Sequence, residues 1–169
     1  RRYLEAYRRA AGAPFPQDAR DQLVGAIGAV FASWQSAKAC EYRRQRGIPS
    51  ATGTAVTVQT MVYGNAGGRS GSGVGFTRDP VSGEPVLWVD FLFNAQGEDV
   101  VSGRRSACGH EELAAVMPTV WRALGETAAR LEREFGDMQD FEFTVQDARL
   151  YLLQARNGKC TAQALARIT

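Results

Sequence analysis

The 169-residue sequence holds one histidine, three cysteines and no large excess of charge of either sign. His110, with no second imidazole to join it, cannot build a histidine-based metal site, and no nucleophile–base–acid relay accompanies it. It is read as a structural or incidental residue at a helix start. Cys40, Cys108 and Cys160 are odd in number, far apart and in no CxxC arrangement. That excludes a disulfide framework or a zinc ribbon and points to reduced thiols in the cytoplasm. A net charge of +2 is too small to call for nucleic acid or an anionic membrane as partner. No apolar run approaches the ~20 residues of a membrane span, and nothing at the front resembles a signal peptide. The chain opens on Arg1, within a helical pattern and without an initiator methionine, so a piece of a longer protein is expected.

Hydrophobic content of 44% and charged content of 22% belong to an ordinary globular domain with a core of its own. Residues 3–11 read as a helix that stops at "GAPFP". Asp18 then opens a longer one, with Leu23, Ile27, Val30, Phe31 and Trp34 at helical spacing. A basic continuation, "CEYRRQRGI", reads as helix up to Gly47. From Thr54 the period changes to two, and "TAVTVQTMV" reads as a strand. "GNAGGRSGSGVG", with six glycines in twelve residues, reads as a loop. "VGFTRDP" and "VLWVDFLFNA" follow as strands, and "QGEDVVSGRR" as the polar exit of the second. "GHEELAAVM" and Pro118–Glu134 read as helices, the latter with Val120, Leu124, Ala128 and Leu131 on its buried stripe. A hairpin over residues 137–158 and a terminal helix complete the pattern. Trp34, Trp88 and Trp121 are expected in or beside the core. The order of elements predicts an α+β fold with a mostly antiparallel sheet flanked by helices, divided into a helical segment 1–50 and a second unit 51–169.

Two features carry chemistry. Glycines in the loop can bring backbone N–H groups to a polyphosphate, although "GSGVGF" lacks the third glycine of GxGxxG and "RNGKCT" lacks the first glycine of a P-loop. A hairpin loop without ligand is the equal alternative. In the hairpin "DMQDFEFTVQDARLYLLQARNG", alternation puts Asp140, Glu142 and Thr144 on one face and Phe141, Phe143 and Val145 on the other. The same alternation puts Leu150, Leu152, Gln154 and Arg156 together on the returning strand. Two adjacent carboxylates repel, and a divalent cation relieves that; Mg²⁺ needs few protein oxygens when a nucleotide supplies the rest. Glu98 and Asp99 supply a second acidic pair. Periodicity by itself favours the plainer reading, an ion pair between Arg156 and Glu142.

"GTAVTVQTMVYGNAGGRSGSGVGFTRDPVSGE", "FLFNAQGEDVVSG" and "DMQDFEFTVQDARLYLLQARNGKCTAQA" closely resemble the pyruvate, phosphate dikinase family, in the later part of its N-terminal nucleotide-binding domain. The resemblance covers nearly the whole chain. It implies a partial ATP-grasp fold and the conversion of ATP, pyruvate and phosphate to AMP, phosphoenolpyruvate and pyrophosphate through a phosphohistidine. Carried over by motif, Asp140 and Glu142 would hold Mg²⁺, and Glu142, Gln154 and Arg156 would be the catalytic set, with Gln154 and Arg156 on the phosphates. Glu98 and Asp99 would complete the acidic side. Gln59, Met61 and Val62 would line the adenine pocket, and Ser70, Gly71, Ser72 and Gly73 would belong to a flexible lid over the phosphates.

The departures from the family pattern are equally specific. Nothing in the chain corresponds to the family's earlier ATP-grasp subdomain, its phosphohistidine domain or its (β/α)8 barrel. Those are the implied partners, with homo-oligomeric assembly expected of full-length members. The segment "GRRSACGHEEL" departs from the family's proline-containing link, and Cys160 replaces a basic residue. The expectation is the ATP-binding part of a dikinase, inactive alone. The alternative is a non-catalytic nucleotide-sensing or partner-docking module with a degenerate ATP site.

Overall fold

A computed structural model describes residues 2–101 and 110–168; Cys108 and the "SGRRSACG" part of the departing segment lie outside them. The chain divides into two compact units, Arg1–Gln59 and Thr60–Thr169. In the first, α1 (Arg2–Ala11), α2 (Ala19–Ser33) and α3 (Ala37–Arg46) are followed by a single 3-10 turn at Ser50–Thr52. Asp18 caps α2 by accepting from the amides of Arg20 and Asp21, and Gly47 closes α3 at φ +64°. Among the described residues of this unit, the buried side chain is Arg43 rather than the apolar stripe expected of α2. Its guanidinium stacks 3.9 Å above the half-buried Trp34 ring and donates to the Trp34 carbonyl at 2.6 Å. Leu23, Val30 and Phe31 remain exposed.

The second unit contains β1 (Gly71–Phe76), β2 (Trp88–Phe93), α4 (Gly97–Val101), α5 (His110–Val116), α6 (Pro118–Phe135), β3 (Gln139–Gln146), β4 (Arg149–Asn157) and α7 (Ala162–Ile168). Its strands form an antiparallel sheet in the order β2-β1-β3-β4. The fold is α+β, as the order of elements predicts. Val120, Leu124, Ala128 and Leu131 of α6 are buried against Val89, Phe91, Phe141, Phe143 and Val145, all on one face of the sheet. Pro118 opens α6 in its first turn, and Gly136 ends it at φ +67°. Trp121 packs beside this core, and Trp88 is half-buried against Phe76.

Three expectations change. Residues 53–63 form no strand. Period-two spacing marks a chain able to extend, but a strand also needs a neighbour for its N–H and C=O groups, and none pairs here among the described residues. The glycine-rich segment is only half a loop, because its second half is β1, inserted between β2 and β3. Gly71, Gly73 and Gly75 alternate onto the α6 face, where side chains would collide with phenylalanine rings. A Cβ on Gly73 would stand 2.5 Å from Phe143 Cζ and 2.7 Å from the Asp90 carbonyl oxygen, and one on Gly75 2.7 Å from Phe141 Cζ. The glycines give the rings room; they do not give the strand freedom. The lid expected around Ser70–Gly75 is therefore a buried central strand.

Third, β3 and β4 shift register between Glu142 and Phe143. Glu142 pairs with Gln154, whereas Phe143 pairs with Leu152, leaving Leu153 as the extra residue. The bulge breaks the alternation, so Leu150 and Leu152 face α6 while Gln154 and Arg156 face the opposite side. The four therefore do not share a face, contrary to the simple alternation expected for this strand.

Gly73→Ala should lose about 1–3 kcal/mol of stability, because both a core ring and a strand backbone must move. Gly125→Ala, in an open stretch of α6, should gain about 0.5–1 kcal/mol. Urea unfolding of the two variants beside the parent measures both effects, whose opposite signs separate crowding from glycine entropy.

Candidate functional site

The sheet face turned away from α6 collects the polar strand residues. Cross-strand partners share a face, so one row runs Trp88–Phe76–Asp140–Arg156 and the next Asp90–Val74–Glu142–Gln154. A third runs Leu92–Ser72–Thr144–Tyr151. Asp140, Glu142, Gln154 and Arg156 thus form a two-by-two patch on adjacent strands.

Arg156 pairs with Asp140 and not with Glu142, because the register puts Asp140 directly opposite it. Its Nε donates to Asp140 Oδ2 at 2.8 Å, and Nη2 lies 2.8 Å from the same oxygen in the ion pair. The carboxylate side chain is 12% exposed and the guanidinium side chain 62% exposed, so the acid is anchored in the sheet and the base stands over its surface. Glu142 is half-buried and in no ion pair among the described residues. Gln154 is exposed beside it.

A cavity of about 450 Å³ opens next to this patch, lined by Gly73, Val74, Glu98, Glu142, Thr144 and Leu153 among others. Helix α4 forms its other wall, and so Glu98 and Glu142 reach the same space. Asp99 instead turns to its own helix start, where it accepts from the Gln96 amide at 3.0 Å. The bulged Leu153 lines the cavity, while Leu150 and Leu152 line a groove against α6. Among the described residues, no three His, Cys, Asp or Glu side chains converge as a metal cage.

Of the remaining expected residues, Ser70 and Ser72 are held by side-chain hydrogen bonds within the sheet. Ser70 is fully buried, and its Oγ accepts from the Asp147 amide at 3.1 Å. Ser72 Oγ lies 3.2 Å from Thr144 Oγ1. Gly71 and Gly73 present backbone to the face that their neighbours' side chains occupy. The preceding loop is tied down as well: the Gly67 amide donates to Asn94 Oδ1, and Gln96 Nε2 to Asn65 Oδ1. Met61 is exposed and Val62 half-buried, close in sequence to Tyr63, whose amide donates to Gln146 Oε1 at 2.8 Å. Gln59 ends the other compact unit. His110 stacks on Trp121 at 5.6 Å between centroids. Cys40 and Cys160 are free thiols.

Asp90 is the residue that motif reading passed over. It faces the same side as Glu142, one strand beyond Val74, and burial pushes its carboxyl above the usual carboxylate range. The signal was available as the single acid inside "VLWVDFLFNA". A desolvated acid within a row of polar residues is the kind of group that concentrates at functional sites.

An antiparallel sheet with one face packed on α6 and the other carrying acids, an amide and a guanidinium defines a two-faced α+β architecture. The family follows from comparison. The profile of the family described as "Pyruvate phosphate dikinase, AMP/ATP-binding domain" matches residues 15–108 and 111–169, and the chain belongs to that family. It is 50% identical over 157 residues, 93% of its length, to pyruvate, phosphate dikinase of Clostridium symbiosum. It is 47% identical to that of Rhizobium meliloti over 99% of its length, and 48% identical to pyruvate, phosphate dikinase 2 of Zea mays over 98%. These alignments cover 18%, 20% and 19% of the relatives' own lengths, so the chain spans about a fifth of each.

Asp90→Asn should raise the melting temperature at pH 7. A carboxyl raised on folding is a cost that is fully present above its folded pKa. That cost fades as pH falls toward the unfolded value of about 3.9. The stabilisation, followed by thermal melts across pH, should therefore shrink to nothing below that value.

Proposed function

We propose that this chain is the ATP- and Mg²⁺-binding part of a pyruvate, phosphate dikinase with a partial ATP-grasp fold, acting in the cytoplasm. The observation that carries the reading is the two-by-two patch of Asp140, Glu142, Gln154 and Arg156 on one open sheet face. Membership of the dikinase nucleotide-binding family supports ATP as the ligand. Arg156 has donors left after binding Asp140, and Gln154 adds an amide N–H₂ beside it, so together they can hold phosphate oxygens.

The oxygen donors fit Mg²⁺. Glu142 is unpaired by any cation among the described residues, and Arg156 engages only one oxygen of Asp140. Two carboxylates suffice for an ion that takes its other ligands from phosphate and water. When bound, the ion would neutralise phosphate charge during transfer. The protein's own part is to fix the phosphates with Arg156 and Gln154, and to let Glu98 close the acidic side while Asp99 holds the start of α4. Gly71, Ser72 and Gly73 would approach the nucleotide as a rigid strand, with Ser70 securing its start and Met61 and Val62 near the base. The phosphohistidine, the acceptor site and the rest of the ATP cleft would come from other parts of the longer enzyme. Little or no dikinase turnover is expected from these 169 residues by themselves.

Calorimetry with Mg²⁺ and ATP tests the reading. Arg156→Ala and Glu142→Ala should each weaken binding by about tenfold or more, the usual worth of a charged hydrogen bond. Undiminished affinity in both variants would contradict it. So would AMP and phosphoenolpyruvate formed from ATP, pyruvate and phosphate by the isolated chain, as regards its incompetence alone.

A further inference from the structure

The geometry of the Asp140–Arg156 pair assigns Asp140 a role that neither the family description nor the metal assignment contains. We propose that Asp140 is a positioning residue for Arg156, holding the guanidinium so that its outer fork meets a phosphate. The proposal rests on the reading that this face binds the nucleotide.

A guanidinium has five N–H donors arranged along fixed edges. The side edge, made by Nε and one hydrogen of Nη2, is occupied by Asp140 Oδ2, with both contacts at 2.8 Å. The outer edge, formed by Nη1 and the second hydrogen of Nη2, is left for another partner, and the side chain is 62% exposed. Asp140 cannot drift with it: its side chain is 12% exposed, and its backbone sits between β1 and β4, opposite Phe76 on one side and Arg156 on the other. An exposed arginine at the end of an edge strand would otherwise sample many rotamers. Ordering it on phosphate would then cost about the entropy of one long side chain. The pair removes that cost before the ligand arrives. Among the described residues only Oδ2 is engaged, which leaves Oδ1 for a cation.

Charge and positioning predict opposite signs. Removing a carboxylate next to an anion site should strengthen anion binding if only Coulomb repulsion acts. If Asp140 aims Arg156, removing it should weaken binding. The difference is measurable without metal, where any role as a cation ligand contributes nothing.

The test is a chemical-shift titration of the chain with inorganic pyrophosphate in EDTA at fixed ionic strength, read on the Arg156 Nε–H signal and nearby amides. Asp140→Ala should weaken pyrophosphate binding roughly three- to tenfold, the ordering cost of one side chain. Asp140→Asn, whose amide oxygen can still accept from Nε, should recover part of that loss. It also carries the test if the alanine variant does not fold. Equal or tighter binding by both variants would overturn the positioning role. No pyrophosphate binding by the parent chain, or binding unchanged in Arg156→Ala, would overturn the nucleotide reading itself, and the proposal with it.

Discussion

The close approach of three phenylalanine rings to the backbone of β1 is the constraint on which the arrangement of the sheet depends. Phe91, Phe141 and Phe143 come from the two strands flanking β1, and they lie over Gly71, Gly75 and Gly73. The Phe91 and Phe143 rings stack at 5.8 Å with 7° between their planes. Side chains of this size dominate the burial that holds a small sheet to its helix. With the glycine edge of β1 committed to the core, alternation sends Ser72, Val74 and Phe76 to the other face. The same rule takes Asp90, Asp140, Glu142 and Thr144 there from the neighbouring strands.

The bulge at Leu153 is the second constraint, and it matters because it separates two tasks within one strand. Before it, Leu150 and Leu152 serve the α6 side. After it, Gln154 and Arg156 serve the polar side, in register with Glu142 and Asp140. Without the extra residue, keeping Leu150 and Leu152 on the α6 side would turn Gln154 and Arg156 to that side too. The aiming of Arg156 thus depends on a backbone irregularity two to three residues away.

Much of this was legible in the sequence, for identifiable reasons. The stripe of α6 followed from 3.6-residue spacing, the two faces of β3 from alternation, and the fold class from the order of elements. The fold of "GSGVGF" was not, since glycine density reads as a loop until the rings that fill the vacated space are known. Nor was the bulge, because Leu153 is one more leucine in an apolar run. Period-two spacing over residues 54–62 described a chain that could pair, without the neighbour that pairing requires. For the site, motif resemblance named Asp140, Glu142, Gln154 and Arg156. Only register showed that Arg156 belongs to Asp140 and that Asp90 joins the row, and only the bond from the Gln96 amide showed that Asp99 turns back to its own helix.

The central claim is that the face bearing Asp140, Glu142, Gln154 and Arg156 receives a magnesium nucleotide. A heteronuclear NMR titration of the isotopically labelled chain with Mg²⁺ and a non-hydrolysable ATP analogue tests it most directly. The account predicts that the largest shifts fall on residues 140–144 and 154–156 and on the α4 wall at Glu98. Shifts confined to the groove between α6 and β4, around Thr127, Leu131 and Leu152, or no shifts at saturating ligand, would contradict it.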